Sequence, residues 1–159
     1  MKTYNYSPFS SWKWKTYDGK SNYNIEDFVE KYKGNDFYIG TDSQNYSKQN
    51  LCVFTTVVVG YEWGRGGDII IGREKLSFID ALRQRLLIEA MRSLETAMYV
   101  DSKISNKNTI HIHLDVNKNL KYKSGKYKDE LVGLIVSQGF ICKVKPDAFA
   151  ASKAADKKC

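Results

Sequence analysis

Four acidic residues stand where hydrophobic segments could bring their carboxylates together. Asp42 and Asp115 each end an apolar, strand-like segment, Glu89 lies in a long amphipathic stretch, and Asp156 lies in the alanine-rich C-terminal stretch. A carboxylate near a hydrophobic core is costly unless a cation or hydrogen bonds compensate its charge. Neighbouring carboxylates also raise one another's pKa unless divalent cations neutralise them. The acids therefore predict a site that binds metal ions.

The ligand type indicates which ions such a site would bind. Ligand sets made only of oxygen atoms suit hard ions such as Mg²⁺ or Mn²⁺. Two such ions about 3.5–4 Å apart can stabilise both the attacking and the leaving oxygen in phosphodiester hydrolysis. We therefore expect Mg²⁺ or Mn²⁺ at Asp42, Glu89, Asp115 and Asp156. The same acids could instead be separate helix caps, turn formers and solvated charges, and spacing alone leaves that alternative open.

Two other residue patterns could suggest a zinc site or a nucleophilic serine, but neither is complete. His111, His113 and Asp115 alternate along one predicted strand and therefore share a face, which could suggest zinc. No fourth zinc ligand is visible, so a role in the core or beside the acids is favoured for both histidines, with His113 nearer to the site. Ser43 follows Asp42 but lacks the GxSxG pattern of a nucleophilic serine.

Basic residues predict an anionic partner. The chain has 159 residues, and its 25 lysines and arginines against 18 acids give a net charge of +7. This balance favours nucleic acid, either RNA or DNA. The candidate phosphate-contacting residues follow Asp115 or lie near the C-terminal acid, although a solvated loop would explain the first group equally well. They are Lys118, Lys121, Lys123, Lys126, Lys145 and Lys153.

Hydrophobic periodicity predicts the elements that would carry these residues. Three strands come first, at about 36–43, 51–61 and 68–74, with a hairpin turn at 62–67. A long helix follows at 78–101, with Glu89 at the edge of its buried stripe and Glu95 on the solvated side. A strand at 109–117, a helix at 127–138, a strand at 140–145 and a helix from Asp147 complete the order.

This order predicts an α/β fold with a mixed five-stranded sheet flanked by helices. Three consecutive strands with hairpin links give the antiparallel part, and the later strand–helix–strand crossover gives the parallel part. If the first and fourth strands are parallel neighbours, Asp42 and Asp115 emerge side by side. Residues 35–159 would form this domain, and residues 1–34 would be an arm and a short helix, capped by Asn24, packed onto it through Trp12, Trp14 and Tyr17.

The cellular location is predicted from what the sequence lacks. The N-terminus has no apolar signal core, and no apolar run approaches the roughly 20 residues of a membrane span. Cys52 and Cys142 lie in strand-like apolar runs and should be buried, as suits a reducing compartment. We expect a cytoplasmic protein that does not bind membranes.

Several of these segments together resemble a known family. They are Ile39-Gly40-Thr41-Asp42-Ser43-Gln44, Leu82-Arg83-Gln84-Arg85-Leu86 with Glu89-Ala90, His113-Leu114-Asp115-Val116-Asn117, Lys143-Val144-Lys145-Pro146-Asp147-Ala148 and Ala154-Ala155-Asp156-Lys157. In this order they resemble the YkuK-type family of ribonuclease H-like proteins, a group of predicted nucleases. The resemblance runs from about residue 36 to the end of the chain.

The resemblance implies both a fold and a set of metal ligands. Ribonuclease H-like enzymes bind their metals through a first-strand Asp, a helix Glu, a fourth-strand Asp and a C-terminal acid. By that pattern the ligands here would be Asp42, Glu89, Asp115 and Asp156, with Asp147 as the alternative fourth ligand. The implied activity is metal-dependent nucleic-acid hydrolysis, and the alternative is an inactive nucleic-acid-binding or assembly module of the same fold.

Overall fold

The centre of the molecule is one mixed β-sheet, in a computed structural model that describes residues 13–117 and 123–145. The strands are β1 (Lys15–Thr16), β2 (Asp36–Tyr46), β3 (Leu51–Glu62), β4 (Gly66–Ser77), β5 (Ile110–Asn117) and β6 (Ile141–Lys145). The α-helices are α1 (Ile25–Lys31), α2 (Leu82–Ile104) and α3 (Lys128–Ser137). Short 3₁₀ turns lie at Ser47–Gln49, Lys107–Thr109 and Lys123–Tyr127.

The sheet has the predicted mixed topology. Its strand order is β1-β4-β3-β2-β5-β6, with β2, β3 and β4 antiparallel and with β2, β5 and β6 parallel. The predicted number of five strands is wrong, because β1 adds a sixth at the edge, where Lys15 pairs with Ile71 and Thr16 with Ile70. A two-residue strand is too short to show the period of two by which strands are recognised in a sequence.

One face of the sheet carries the main hydrophobic core. Residues of α1, α2 and α3 pack there against inward-facing strand residues such as Phe37, Ile39, Ile110 and Ile112. Two smaller clusters hold Val57 with Ile71, and Cys52 with Phe54 and Ile79. The β3 strand is buried along most of its length, which explains its nearly uncharged sequence.

Helix α2 begins later than the apolar pattern predicted. Ile79 continues the apolar stripe but lies before the helix, because Asn45 of β2 holds its backbone. The Asn45 side chain donates to the Ile79 carbonyl at 2.7 Å and accepts from the Ile79 amide at 3.3 Å. The predicted stripe of Leu86, Ala90, Leu94 and Ala97 is buried as expected, because these positions recur at helical spacing.

The predicted exposure of Glu95 is wrong. Its side chain is only 25% exposed and lies 3.5 Å from Arg92, which also binds Glu74 of β4 at 2.6 Å. Burial raises the pKa of Glu95, and the neighbouring Arg92 opposes that shift. These charges bind α2 to the antiparallel part of the sheet.

The predicted helix cap at Asn24, the packing of Trp14 and the hairpin between β3 and β4 agree with the structure. Asn24 caps α1 by accepting from the amides of Glu26 and Asp27, and Trp14 is buried. Trp12 and the predicted C-terminal helix lie outside the described residues. The division of the chain at residue 34 stays a prediction. Among the described residues, no helix combines the length and apolar character needed to cross a membrane.

Candidate active site

Asp42 and Asp115 lie on neighbouring parallel strands, but the expected position of Asp42 at a strand end is wrong, because β2 continues to Tyr46 through its pairing with β3. The pairing of β2 with β5 runs from Phe37 opposite Ile110 to Gly40 opposite His113. Asp42 and Asp115 each lie two residues beyond this last pair, on neighbouring strands. The predicted adjacency of the two strands is therefore confirmed, and β2 is an interior strand of the sheet with β3 on its other side.

The side chains around Asp42 alternate between the two faces of the sheet. Thr41 and Ser43 point towards α2, where Thr41 Oγ1 lies 2.8 Å from Ser93 Oγ and Ser43 Oγ donates to Glu89 Oε2 at 2.5 Å. The alternation places Asp42 towards the face shared by His113 and Asp115. Asp42 is buried, with 8% of its surface exposed, so its carboxylate is largely removed from water.

Glu89 brings a third carboxylate to the same part of β2. It is buried on α2 with 6% of its surface exposed. Burial is the main cause that raises its pKa well above the ordinary value, and the negative charges of Asp42 and Asp115 raise it further. The Ser43 hydrogen bond and the Arg85 guanidinium act in the opposite direction. Glu89 on α2 is therefore close enough to Asp42 of β2 and Asp115 of β5 to feel both charges.

Asp115 has a cationic partner from the neighbouring strand. Lys145 Nζ of β6 lies 2.5 Å from Asp115 Oδ1, with the two side chains 40% and 18% exposed. The β5–β6 pairing is irregular here, because it passes from His113 opposite Lys143 to Asn117 opposite Lys145. Lys145 was predicted to contact nucleic acid, and the structure places it against an acid of the site.

The described acids do not form a complete coordination shell. Among residues 13–117 and 123–145, no group of three His, Cys, Asp or Glu residues is close enough to hold a metal ion. Glu89 and Asp115 instead bind Ser43 and Lys145. Asp156, the predicted fourth ligand, and its alternative Asp147 lie outside the described residues.

The chemistry of the three acids nevertheless fits a divalent cation. The available donors are carboxylate oxygens, which Mg²⁺ and Mn²⁺ prefer. The charge of Glu89 is disfavoured by burial and by two neighbouring carboxylates, and a cation would relieve both effects. The fit therefore rests on the donor type and on the destabilised charge of Glu89.

The histidines have packing roles. His113 is 2% exposed, and its pKa is lowered to about 4 by burial first, and then by His111 and Lys143. Its ring lies 5.4 Å from that of Tyr38, which stacks on His111 at 4.6 Å. His111 Nε2 also lies 3.7 Å from Asp36 Oδ1. These contacts agree with the favoured role in the core and give no support to a zinc site.

The candidate phosphate-contacting lysines are only partly described. Lys126 is exposed on the 3₁₀ turn that follows β5, and Lys123 begins that turn. Lys118, Lys121 and Lys153 lie outside the described residues. Lys143, two residues before Lys145, is exposed on β6.

Ser43 and Arg85 are site residues that the sequence analysis missed. Each had a signal in the chain, because alternation along β2 directs Ser43 to the α2 face and Arg85 lies one helical turn before Glu89. The buried Nε of Arg85 has no hydrogen-bond partner among the described residues, although the arginine lowers the pKa of Glu89.

The fold and the arrangement of the acids define a class of protein. An antiparallel β2–β3–β4 unit joined through β2 to parallel β5 and β6, with acids on β2, β5 and α2, is the ribonuclease H-like arrangement. The family model described as Ribonuclease H-like matches residues 21–159, and the chain belongs to this family. The resemblance to its YkuK-type members is thereby confirmed. A search of curated proteins and a search of solved structures found no match.

Proposed function

We propose that this protein is a divalent-metal-dependent nuclease that hydrolyses phosphodiester bonds of RNA or DNA. Its family suggests a nuclease-type or nucleic-acid-binding protein. The observation that carries the finer proposal is the burial of Asp42 and Glu89, 8% and 6% exposed, on β2 and on the helix packed against it. Burial raises the pKa of Glu89, and the charges of Asp42 and Asp115 raise it further. A buried carboxylate beside two other carboxylates is unfavourable in its charged form unless a positive ion compensates it.

The proposed ligands are Asp42, Glu89 and Asp115, with Asp156 as the fourth and Asp147 as its alternative. Mg²⁺ or Mn²⁺ held there would activate water and neutralise the charge that develops on the phosphoryl oxygens. The protein would hold Asp42 and Asp115 at a fixed separation through the β2–β5 pairing.

Other residues would orient the acids and the substrate. Ser43 donates a hydrogen bond to Glu89 Oε2 and would thereby orient this carboxylate towards a bound ion. Lys126 is exposed after β5, and it would contact the backbone phosphates of a bound strand together with the lysines predicted at 118, 121, 123 and 153. Phosphate contacts of this kind position a strand without reading its sequence.

The central test is the Asp42→Asn variant. Labelled single-stranded, duplex, hybrid and branched substrates are incubated with Mg²⁺ or Mn²⁺, and with EDTA as the blank. We expect wild-type cleavage that needs the metal and a loss of at least about a hundredfold in Asp42→Asn, because the amide removes a negative ligand.

The matched control is Asp36→Asn, at the start of the same strand. Asp36 accepts a hydrogen bond from the Trp63 indole at 3.2 Å and lies near His111, away from the acids of the site. This variant should cleave at the wild-type rate. Undiminished cleavage by a correctly folded Asp42→Asn protein would contradict the mechanism.

The second candidate function is an inactive nucleic-acid-binding or assembly module. Two contacts favour it, because they engage carboxylates that a metal ion would need. Glu89 accepts a hydrogen bond from Ser43, and Asp115 forms an ion pair with Lys145. This function predicts salt-sensitive binding to nucleic acid and no cleavage with any divalent ion. Turnover by the wild-type protein that disappears in Asp42→Asn would exclude it.

A further inference from the structure

One ammonium group already neutralises part of the acidic site. Lys145 Nζ lies 2.5 Å from Asp115 Oδ1, and its side chain is 40% exposed while that of Asp115 is 18% exposed. The lysine therefore approaches a mostly buried carboxylate from a position that opens to solvent. A long, flexible side chain in such a position can leave the carboxylate without a rearrangement of the backbone.

The geometry of β6 directs this lysine rather than its neighbour to Asp115. Lys143 and Lys145 share a face of β6, since they are two residues apart on one strand. Lys143 is level with His113 and is exposed, whereas Lys145 pairs with Asn117 beyond the irregularity in β5 and contacts Asp115. The strand thus offers two lysines with the same charge and face, of which Lys145 forms the ion pair with Asp115.

A metal ion and this ammonium group would compete for the same carboxylate. An ion bound by Asp115 would lie a few ångströms from Lys145 Nζ, where two positive charges repel each other strongly in a partly buried site. Asp42 and Asp115 also repel the charged form of Glu89. Either cation relieves that repulsion, and the repulsion between the two positive charges disfavours binding both at the Asp115 carboxylate.

We propose that Lys145 is the resident counter-cation of the acidic site and that a divalent ion must displace its ammonium group from Asp115. This inference rests on the metal site proposed above and adds a regulation of that site. The displacement sets the metal concentration at which the site loads. In the metal-free protein, the ammonium group of Lys145 neutralises the negative charge of Asp115.

The test compares Lys145→Met with Lys143→Met. Each variant removes one positive charge from the same face of β6 and keeps an unbranched side chain. The affinity for Mn²⁺ alone is measured by titration calorimetry and by the loss of the free-ion EPR signal. We expect Lys145→Met to bind Mn²⁺ about threefold to tenfold more tightly than wild type, because the competing ion pair is gone. Lys143→Met should stay near the wild-type affinity.

A third variant, Lys145→Arg, keeps both the charge and the ion pair. Its affinity for Mn²⁺ should equal the wild-type value or be weaker, since arginine binds carboxylates more firmly. It also serves if Lys145→Met folds poorly, and thermal unfolding in EDTA establishes which variants are folded. A Lys145→Arg protein that binds Mn²⁺ more tightly than wild type would contradict the displacement.

The remaining outcomes separate this inference from the proposed function. Equal tightening in both methionine variants would show a general field effect and would overturn the role of the ion pair. Wild-type binding with no change, or a weakening, in Lys145→Met would overturn the inference and leave the metal site standing. Binding only in Lys145→Met would support the displacement but contradict a metal-dependent wild type. Absence of binding in all variants would overturn both proposals.

Discussion

At the scale of single residues, Glu89 is the acid of the site whose charged form is disfavoured by burial and by its neighbours. Burial raises its pKa, and the charges of Asp42 and Asp115 add to the shift. The folded protein therefore keeps a proton on this carboxyl at pH values where the unfolded chain has lost it. The contribution of this proton to stability is fully present below the pKa that Glu89 has in the unfolded chain. It is lost as the pH rises through the higher pKa of Glu89 in the folded protein.

The Glu89→Gln variant should therefore gain stability relative to wild type as the pH rises. Glutamine has nearly the same shape and cannot ionise, so the metal-free variant escapes the cost of a buried negative charge. Unfolding temperatures measured in EDTA from pH 5 to pH 8 check this expectation. Added Mn²⁺ should then raise the unfolding temperature of wild type more than that of Glu89→Gln. A difference between the two proteins that stays constant with pH would contradict the buried charge.

His113 gives a pH dependence of the opposite sign. Its pKa is lowered to about 4 from the ordinary 6.5, mainly by burial, so the unfolded chain takes up a proton that the folded protein does not. Its contribution to stability is therefore present above pH 6.5 and is lost as the pH falls towards 4. By linkage this loss amounts to about 3 kcal/mol at most.

The His113→Gln variant should accordingly lose less stability than wild type on acidification. Urea unfolding at pH 7 and at pH 5 measures the free energy of unfolding of both proteins. The comparison uses the change between the two pH values, since the substitution itself costs packing against Tyr38. Parallel changes in both proteins would show that His113 does not titrate as its burial requires.

The acids could be recognised from the sequence, and their partners could not. Asp42 and Asp115 each follow strand-forming residues, which places both acids on strands, although β2 continues beyond Asp42 to Tyr46. The pairing of Lys145 with Asp115 depends on the register of β5 with β6, which becomes irregular after His113. No local pattern encodes such an irregularity, because it arises from the fit of two strands distant in the chain.

At the scale of elements, close backbone contacts decide which glycines are required. A Cβ atom on Gly67, at the start of β4, would lie 2.1 Å from the carbonyl oxygen of Gly60. A Cβ atom on Gly133, within α3, would have no neighbour within 4 Å. The sequence showed Gly67 only as part of a turn, and its contact with β3 is visible only in the folded sheet.

The two glycine-to-alanine substitutions should therefore have opposite effects. Gly67→Ala forces the β3–β4 hairpin apart and should destabilise the protein by about 1–3 kcal/mol. Gly133→Ala reduces the freedom of the unfolded chain in a helix and should stabilise it by about 0.5–1 kcal/mol. Denaturant unfolding of the two variants measures both effects. A stabilised Gly67→Ala protein would contradict the pairing of β3 with β4.

The same scale explains which element bounds were readable. The β3 strand carries a long apolar run, β5 alternates apolar and polar residues, and β2 begins with a short apolar run, so their existence and order follow from the sequence. The start of α2 did not, because Ile79 fits the helical stripe while Asn45 holds its backbone outside the helix. The hydrogen bonds from Asn45, a residue of β2, therefore delay the start of the helix, although the apolar residues recur at helical spacing.

At the scale of the whole molecule, the charge balance opposes the local charge of the site. The chain carries +7 overall, although Asp42, Glu89 and Asp115 gather negative groups around β2. A bound nucleic acid would be attracted by the molecule and repelled by the acids, unless cations cover them. Binding and cleavage should therefore depend differently on metal ions and on salt.

The last prediction separates these two dependences in one protein. In EDTA, Asp42→Asn should bind a labelled single strand at least as tightly as wild type, because the variant has one negative charge fewer beside the phosphates. The logarithm of its binding constant should fall linearly with the logarithm of the salt concentration, with a slope of about −0.7 per phosphate contacted. Fluorescence anisotropy between low and physiological salt measures that slope. Charge reversal at the exposed Lys126 should reduce it, whereas Asp36→Asn should leave it unchanged. A slope near zero would show that the positive charge of the molecule does not contact nucleic acid.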